Sequence, residues 1–176
     1  MNTGALPAVR LLGLDPGLQH TGWGVLECSG GGSRLRHLGD GVISTTAALP
    51  LAERLSQLHR ALLALLEAWR PDEAAVEHTY VNKNPAAALK LGQARGVVLL
   101  APALAGIPVA EYQAMEVKRA VVGTGHAEKV QVEAMVKLLL PGALVRRADA
   151  ADALAVAICH AHHRQTRTAL ARAYAP

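Results

Sequence analysis

A short apolar run near the start of the chain constrains the fold more than any other feature. The segment Val9 to Asp15 has the sequence VRLLGLD, and Pro16-Gly17 follows it at once. Strands of this kind, buried on both faces, are typical of the interior of a sheet that helices cover on both sides. We therefore predict an α/β protein in which this strand is central. Asp15 then lies at its carboxyl end, which is where the sites of open α/β sheets form.

The remaining strand patterns complete a mixed sheet. Two segments with looser alternation are separated by Ser29-Gly-Gly-Gly-Ser33, a sequence that favours a hairpin loop. These segments predict three antiparallel strands at the start of the fold. Two further short apolar segments predict additional strands, and the first of them again ends in an acid, Glu77. The predicted strands after the first are 20–27, 34–43, 73–78 and 107–112.

Helical spacing of apolar residues accounts for most of the rest of the chain. Leucines recur at helical spacing after Pro50, and Pro102 is expected to kink or end the second helix. Beyond His163 the chain has three arginines and no clear apolar face, which predicts a flexible basic tail over 164–176 and a single domain over 1–163. The predicted helices are 50–69, 85–105, 114–122, 127–140 and 148–163.

Composition excludes several classes of protein. With 51% hydrophobic and 18% charged residues, the chain is not intrinsically disordered as a whole. Its two cysteines form neither a disulfide scaffold nor a zinc cluster, so we expect a cytoplasmic protein. The longest uncharged stretch, between Arg95 and Glu111, is broken by prolines and a glycine, and we predict no membrane span and no export signal.

The distribution of charge and aromatic residues points to a particular type of partner. Residues 1–88 contain 7 basic and 8 acidic side chains, whereas 89–176 contain 11 basic and 6 acidic ones. A positive second half is compatible with a polyanionic partner. Because only 3% of the residues are aromatic and phenylalanine is absent, single-strand binding by successive base stacking is disfavoured. If the partner is a nucleic acid, we expect its backbone and shape to be recognised.

Four acids form the most informative constellation. Asp149 and Asp152 stand three apart at a predicted helix start and therefore share one helix face. Together with Asp15 and Glu77 at two strand ends, they can converge on one point. Clustered carboxylates either raise one another's pKa or recruit a cation, and hard oxygen ligands suit Mg²⁺ or Mn²⁺ rather than zinc. Two such ions can promote phosphodiester hydrolysis by water.

Each of these acids also has an ordinary structural interpretation. Asp149 and Asp152 are favoured near a helix N-terminus by the helix dipole alone. Asp15, followed by Pro-Gly, is common in a simple turn. Glu77 alone says little. The combination of two acids that end apolar strands with a helical acid pair is what favours a functional site.

Several ordered motifs give the chain a family resemblance. The sequence resembles the RuvC Holliday-junction resolvases in five blocks that occur in the family's order. This resemblance implies a ribonuclease-H-like nuclease domain, in which three antiparallel strands and then parallel strands form a mixed sheet flanked by helices. It also implies a homodimeric endonuclease that cuts four-way DNA junctions symmetrically and leaves ligatable 5′-phosphate and 3′-hydroxyl ends. The blocks are LGLDPGLQHTGWG (12–24), VEHTY (76–80), ALKLGQARG (88–96), VKRAVVGTGHAEK (117–129) and ADAADALA (148–155).

The resemblance assigns roles to individual positions. The four acids match the family's catalytic, metal-binding carboxylates, with two Mg²⁺ per site and Mn²⁺ as a substitute. Lys118 and Lys129 match lysines that contact DNA near the scissile phosphate or support catalysis, and Tyr80 matches an aromatic residue that stacks on an unpaired base. The helix over 88–96 resembles dimer-interface material, and the branch-migration proteins RuvA and RuvB are implied as partners. The acids are Asp15, Glu77, Asp149 and Asp152.

Two positions depart from the pattern of some family members. His78 stands where some members have glutamine, and Asp149 stands where some have histidine, so metal preference is expected to vary with these positions. His126 in the Gly-Thr-Gly-His turn is interpreted as a hydrogen-bonded surface histidine.

Two other functions fit parts of the sequence. Asp15 to Gly22 (DPGLQHTG) also fits the phosphate loop of actin-like ATPases and sugar kinases, but those proteins bind nucleotide between two related domains and 176 residues provide one. The second alternative is a non-catalytic junction-binding protein whose positive half holds backbone phosphates. The presence of all four acids favours the nuclease over this alternative.

Overall fold

Strands and helices follow one another along the chain in the order that the sequence predicts. The structure is a computed structural model and describes residues 7–30, 33–78 and 84–173. Its strands are β1 (Val9–Asp15), β2 (His20–Ser29), β3 (Arg34–Ser44), β4 (Glu73–His78) and β5 (Val109–Gln113). Its helices are α1 (Leu51–Trp69), α2 (Pro85–Leu104), α3 (Ala114–Val122), α4 (Lys129–Leu139) and α5 (Ala148–Ala173).

The five strands form one mixed sheet in the order β3-β2-β1-β4-β5. β1 pairs with β2, and β2 with β3, in antiparallel fashion. β4 lies parallel to β1 on its other side, and β5 lies parallel to β4. This topology confirms the predicted sheet, with β1 at its centre and three antiparallel strands preceding the parallel ones.

Side chains that alternate along β1 supply two separate cores. Leu11 packs into the core under α3, α4 and α5, whereas Leu12 and Leu14 pack into the core under α1 and α2. The second core includes Leu58 and Leu62 of α1, which are fully buried and stabilise the fold by about 1.5–3 kcal/mol each. By the same alternation, Asp15 lies on the α5 side of the sheet, as Leu11 does.

The last helix is longer than the sequence predicts. We expected α5 to end at His163, because the apolar pattern stops there, but it continues to Ala173. Polar contacts hold the part that the apolar pattern does not reach. The Arg164 Nε–H donates to Glu73 Oε1 at 2.8 Å, and the His162 ring Nδ1 lies 3.0 Å from the Ala120 carbonyl oxygen.

Proline explains the boundaries of two neighbouring elements. α2 passes through Pro102 and ends soon afterwards at Leu104, in agreement with the expected effect of a proline that cannot donate a backbone hydrogen bond. β5 begins at Val109 rather than at Ile107. The Ile107 N–H donates to the Pro102 carbonyl, and Pro108 has no N–H to give to a strand ladder.

Candidate active site

Parallel pairing of β1 and β4 brings two of the predicted acids together. Leu14 pairs with Val76, so Asp15 and Glu77 follow side by side at the carboxyl ends of adjacent strands. Both side chains lie on the α5 side, because Leu11 and Ala75 of the same alternating series belong to the core under α5. Glu77 also shares a hydrogen bond with Asp15.

The start of α5 supplies the other two acids, since the helix lies directly against the sheet. A Cβ atom at Gly13 would stand 2.0 Å from the Ala153 carbonyl oxygen, which no real side chain tolerates. Glycine at this position therefore lets the helix backbone touch β1. Asp149 and Asp152 lie in the first turns of the helix, one helical turn apart, and are brought to the same end of the sheet as Asp15.

A cavity of about 310 Å³ opens between these elements. Three of the four predicted acids and both predicted lysines line it. Asp149 lies beside it, close enough for its charge to raise the pKa of Asp15. The lining residues are Asp15, Glu77, Ala114, Val117, Lys118, Lys129, Val132, Asp152 and Ala155.

Basic side chains pair with the two acids of α5. The Lys129 Nζ donates to Asp152 Oδ2 at 3.0 Å, and the Arg147 Nη2 lies 3.5 Å from Asp149 Oδ2. Lys129 is largely exposed and begins α4, so it reaches Asp152 from the rim of the cavity. Sequence reasoning did not single out Arg147. The pair Arg146-Arg147 immediately before the helix acids was the signal available for it.

Crowding of negative charge changes the protonation of the strand acids. Burial, together with the charges of Glu77, Asp152 and Asp149, raises the pKa of Asp15 to about 8. Burial and the charge of Asp152 also raise the pKa of Glu77, against the opposing effects of Lys129 and Lys118. The hydrogen bond and charge of Asp152 raise the pKa of Lys129, which therefore stays protonated. At neutral pH the cavity holds a proton on the pair formed by Asp15 and Glu77.

The donor chemistry of the cavity suits a hard divalent cation. Its acidic lining offers carboxylate oxygens from Asp15, Glu77 and Asp152, and the described lining residues include no thiol or imidazole. Within the described residues, no group of three or more His, Cys, Asp or Glu side chains is already arranged to hold a metal ion. In this arrangement Asp152 is paired with Lys129, and Asp149 is paired with Arg147.

Hydrogen bonds fix the loop that follows Asp15. The Thr21 hydroxyl is fully buried and donates to the Gly17 carbonyl at 2.6 Å. The Thr45 hydroxyl donates to the Leu18 carbonyl at 2.6 Å and accepts from Arg54 Nε at 3.0 Å. The loop is thus tied to β2, to the segment after β3 and to α1. These bracing groups were not found from the sequence, because they lie apart in the chain and carry no catalytic chemistry.

The remaining predicted positions have different outcomes. Tyr80 lies outside the described residues, so its stacking role stays a prediction. His78 is exposed at the end of β4. His126 is exposed in the turn before α4, and its backbone N–H donates to the Thr124 hydroxyl at 3.4 Å.

Comparison with known proteins identifies the family. The family model described as crossover junction endodeoxyribonuclease RuvC matches residues 11–160. The chain belongs to the RuvC family. A crossover junction endodeoxyribonuclease RuvC from Paramagnetospirillum magneticum is 63% identical over 167 residues, which cover 95% of this chain and 99% of the relative. One from Gluconacetobacter diazotrophicus is 66% identical over 156 residues, covering 89% and 92%.

Solved structures agree with this assignment. Thermus thermophilus RuvC in complex with a Holliday junction substrate matches with a TM-score of 0.83 and 37% identity, covering 91% of this chain and 97% of that one. The yeast mitochondrial Holliday junction resolvase Ydc2 matches with a TM-score of 0.69 at 15% identity, covering 98% and 85%, and supports the fold alone. The predicted ribonuclease-H-like fold and the RuvC resemblance are therefore confirmed.

Proposed function

We propose that this RuvC family member is an endonuclease that resolves four-way DNA junctions, with its cutting centre in the acidic cavity at the carboxyl ends of β1 and β4. The observation that carries the proposal is the convergence of Asp15, Glu77 and Asp152 with two lysines in one cavity of a chain from this family. The names of the relatives and the junction bound to the Thermus protein support the choice of substrate. The products are 5′-phosphate and 3′-hydroxyl ends that a ligase can seal.

Asp15, Glu77, Asp149 and Asp152 are proposed to hold two Mg²⁺ ions, for which Mn²⁺ can substitute. When bound, such ions supply charge stabilisation for in-line displacement at phosphorus. The residues supply the negative charge that attracts the ions. Because Asp15 and Glu77 hold a proton at neutral pH, loading the site releases it.

The two lysines are proposed to act on the DNA backbone. Lys118 and Lys129 line the cavity, and Lys129 is exposed enough to reach a bound strand. They place positive charge beside the acids, so the strand to be cut is held by its phosphates. Tyr80 is proposed to stack on an unpaired base near the crossover. Contacts of this kind position the junction without reading its sequence.

A homodimer is proposed to form through α2. Its exposed stripe consists of residues at spacings of three or four, opposite the buried Ala94, Val98 and Ala101. Added Cβ atoms at Gly92 and Gly96 would meet nothing within 4 Å, which leaves room for a second helix. The stripe consists of Leu89, Gly92, Gly96, Leu100 and Leu104.

The length and composition of α2 would fit lipid as well as a second subunit. Among the described residues it is the one helix whose length and composition would allow it to cross a membrane, and 22% of the relevant window is buried. Its Arg95 is paired with Glu111 of β5. We assign the uncovered apolar face to the second subunit rather than to lipid. We expect Leu100→Asp to give monomers in analytical ultracentrifugation. Leu63→Asp, on the exposed face of α1, should leave the dimer intact.

The cellular setting follows the family. We propose a cytoplasmic enzyme of recombination and repair whose residues 1–163 form one nuclease domain. RuvA and RuvB are proposed to deliver the junction. These assignments rest on the family relationship.

Cleavage of a synthetic four-way junction tests the proposed function. An end-labelled junction and a linear duplex of matching sequence are incubated with the protein in MgCl₂, MnCl₂ or EDTA. We expect paired, symmetric nicks in the junction alone, sealed by DNA ligase and absent in EDTA. Asp15→Asn should bind the junction and leave it intact. Binding without cutting in either metal would instead favour the non-catalytic junction-binding protein.

A further inference from the structure

The contact between β2 and the first turn of α5 shows which residue sets the distance between the two halves of the acid cluster. Gly22 of β2 is the antiparallel partner of Asp15 of β1. A Cβ atom at Gly22 would stand 1.9 Å from the carbonyl oxygen and 2.5 Å from the carbonyl carbon of Asp149. The helix backbone at the acid therefore touches the strand at the residue paired with Asp15.

This contact differs from that of Gly24, the next glycine on the same face of β2. At Gly24 an added Cβ would meet chiefly the side chain of Leu154, with the Cγ and Cδ2 atoms at 2.6 Å and the backbone Cα farther away at 3.1 Å. Leu154 lies farther along α5 than either acid. A side chain of this kind can adjust its rotamer, but a backbone carbonyl moves only with its helix. The contact at Gly22 is thus rigid and is located at the acids themselves.

Hydrogen bonds around Gly22 leave β2 little freedom to move. Thr21, next to Gly22, is fully buried and holds Gly17 through its hydroxyl, and β2 is paired on both sides by β1 and β3. Any group larger than hydrogen at position 22 must therefore push the start of α5 away from β1. Asp149 and Asp152 would move with the helix, while Asp15 and Glu77 would stay with the sheet.

We propose that Gly22 is a positioning residue for cleavage: its lack of a side chain sets the separation between the strand acids and the helix acids. The proposal rests on the proposed function, because it assumes that the four acids act together. It predicts a defect in the cleavage step rather than in junction recognition, since the lysines at the rim remain in place.

The first test compares Gly22→Ala with Gly24→Ala, which adds the same methyl group to the same face of the same strand. Thermal unfolding, junction affinity in EDTA by fluorescence anisotropy, and the single-turnover cleavage rate are measured for both. For Gly22→Ala we expect cleavage to fall by about 100-fold, which is the usual cost of misplacing reacting groups by about 1 Å. We expect its junction affinity to stay within about threefold of the unmodified protein. Gly24→Ala should lose similar thermal stability but no more than about tenfold in rate.

A readout without catalysis accompanies these rates. MnCl₂ should raise the unfolding temperature of the unmodified protein and of Gly24→Ala, and it should fail to do so for Gly22→Ala. If Gly22→Ala cleaves within about threefold of the unmodified rate, or if both variants respond equally to MnCl₂, the proposal is wrong. Asp15→Asn, measured in parallel, separates a failure of the Gly22 proposal from a failure of the proposed function. Normal cleavage by Asp15→Asn would overturn the proposed function itself.

A second variant keeps the proposal testable if Gly22→Ala does not fold. Asp149→Glu retains the charge and lies at the partly exposed start of the helix, where one added methylene does not disturb the core. Because the helix backbone is held at Gly22 and Gly13, it cannot adjust to the longer side chain. We expect cleavage to fall by about 100-fold with junction affinity retained. Cleavage at the unmodified rate would show that the spacing is not fixed by this contact.

Discussion

The two ends of β4 carry glutamates in opposite electrostatic situations. At the amino end, Glu73 accepts hydrogen bonds from His160 Nε2 and Arg164 Nε, each at 2.8 Å. Burial by itself would raise the pKa of Glu73, but the hydrogen bonds from Arg164 and His160 lower it. At the carboxyl end, burial and Asp152 raise the pKa of Glu77. Glu73 is paired with basic side chains, whereas Glu77 lies close to other carboxylates.

This difference separates a structural acid from a functional one. The Glu73 cluster continues through His160 to the Tyr112 hydroxyl, which lies 2.8 Å from the His160 Nδ1 and completes a buried network between α5, β4 and β5. The hydrogen bonds from His160 and Arg164 stabilise the Glu73 carboxylate within the protein. Lys129 and Lys118 offset only part of the burial and repulsion in the Glu77 cluster, and folding it costs free energy that a bound cation can return. Carboxylates of the same strand therefore have different roles that their neighbours determine.

The largest effect should come from neutralising the crowded glutamate. Glu77→Gln is expected to reduce junction cleavage by about 1,000-fold, equivalent to about 4 kcal/mol of transition-state stabilisation. The matched variant, Glu73→Gln on the same strand, should cleave at close to the unmodified rate when it is folded. Single-turnover rates at saturating MgCl₂ check this pair. Equal losses in the two variants would show that the two ends of β4 do not differ in function.

Stability should respond in the reverse order. Glu73→Gln leaves His160 and Arg164 without a carboxylate partner and should lower the free energy of unfolding by about 2 kcal/mol. Glu77→Gln in EDTA should not be destabilised, because it removes a repelled charge. Urea denaturation monitored by circular dichroism measures both values. A Glu73→Gln protein as stable as the unmodified one would refute the structural role of this network.

Metal loading should depend on pH through the crowded acids. The pKa of Asp15 is raised to about 8, so the folded protein without metal holds a proton there at neutral pH that an ion must displace. The MgCl₂ concentration that gives half-maximal cleavage should therefore fall about tenfold between about pH 6.5 and about pH 7.5 and level off above about pH 8. Cleavage titrations at fixed ionic strength check this. A half-saturating concentration that is constant across this range would contradict the raised pKa.

The smallest effect concerns the stability of the metal-free protein. Because the pKa of Asp15 is higher in the folded state than its ordinary value of 3.8, the folded protein loses stability as pH rises from that value through about 8. Asp15→Asn removes this loss and should stabilise the protein in EDTA at about pH 8, with no gain below about pH 4. Thermal unfolding at the two pH values measures the difference. A destabilised variant at about pH 8 would mean that Asp15 is compensated in the folded state.

The sequence predicted much of this arrangement for a physical reason. The bounds of β1 and β4 follow from apolar runs that end in acids, and parallel pairing then brings Asp15 and Glu77 together. The spacing of Asp149 and Asp152 predicts that they share one helix face, and the family motifs identify all four acids as site residues. These signals are local, or they depend on a topology that the order of elements defines.

Other features could not be obtained in this way. The ion pairs of Asp152 with Lys129 and of Asp149 with Arg147 depend on side-chain positions at the ends of α4 and α5. The extension of α5 beyond His163 depends on Glu73, which is distant in the chain from Arg164. A pattern of apolar residues does not register such polar contacts, and for that reason the predicted helix ended too early.

Calorimetric titration of MnCl₂ into the DNA-free protein tests the central claim most directly, because it isolates the acid cluster from junction recognition. The unmodified protein, Glu77→Gln and Glu73→Gln are compared at the same pH in buffers of different ionisation enthalpy. We expect binding with proton release in the unmodified protein and in Glu73→Gln, and loss of both signals in Glu77→Gln. Binding that is unchanged in Glu77→Gln, or lost equally in both variants, would contradict it.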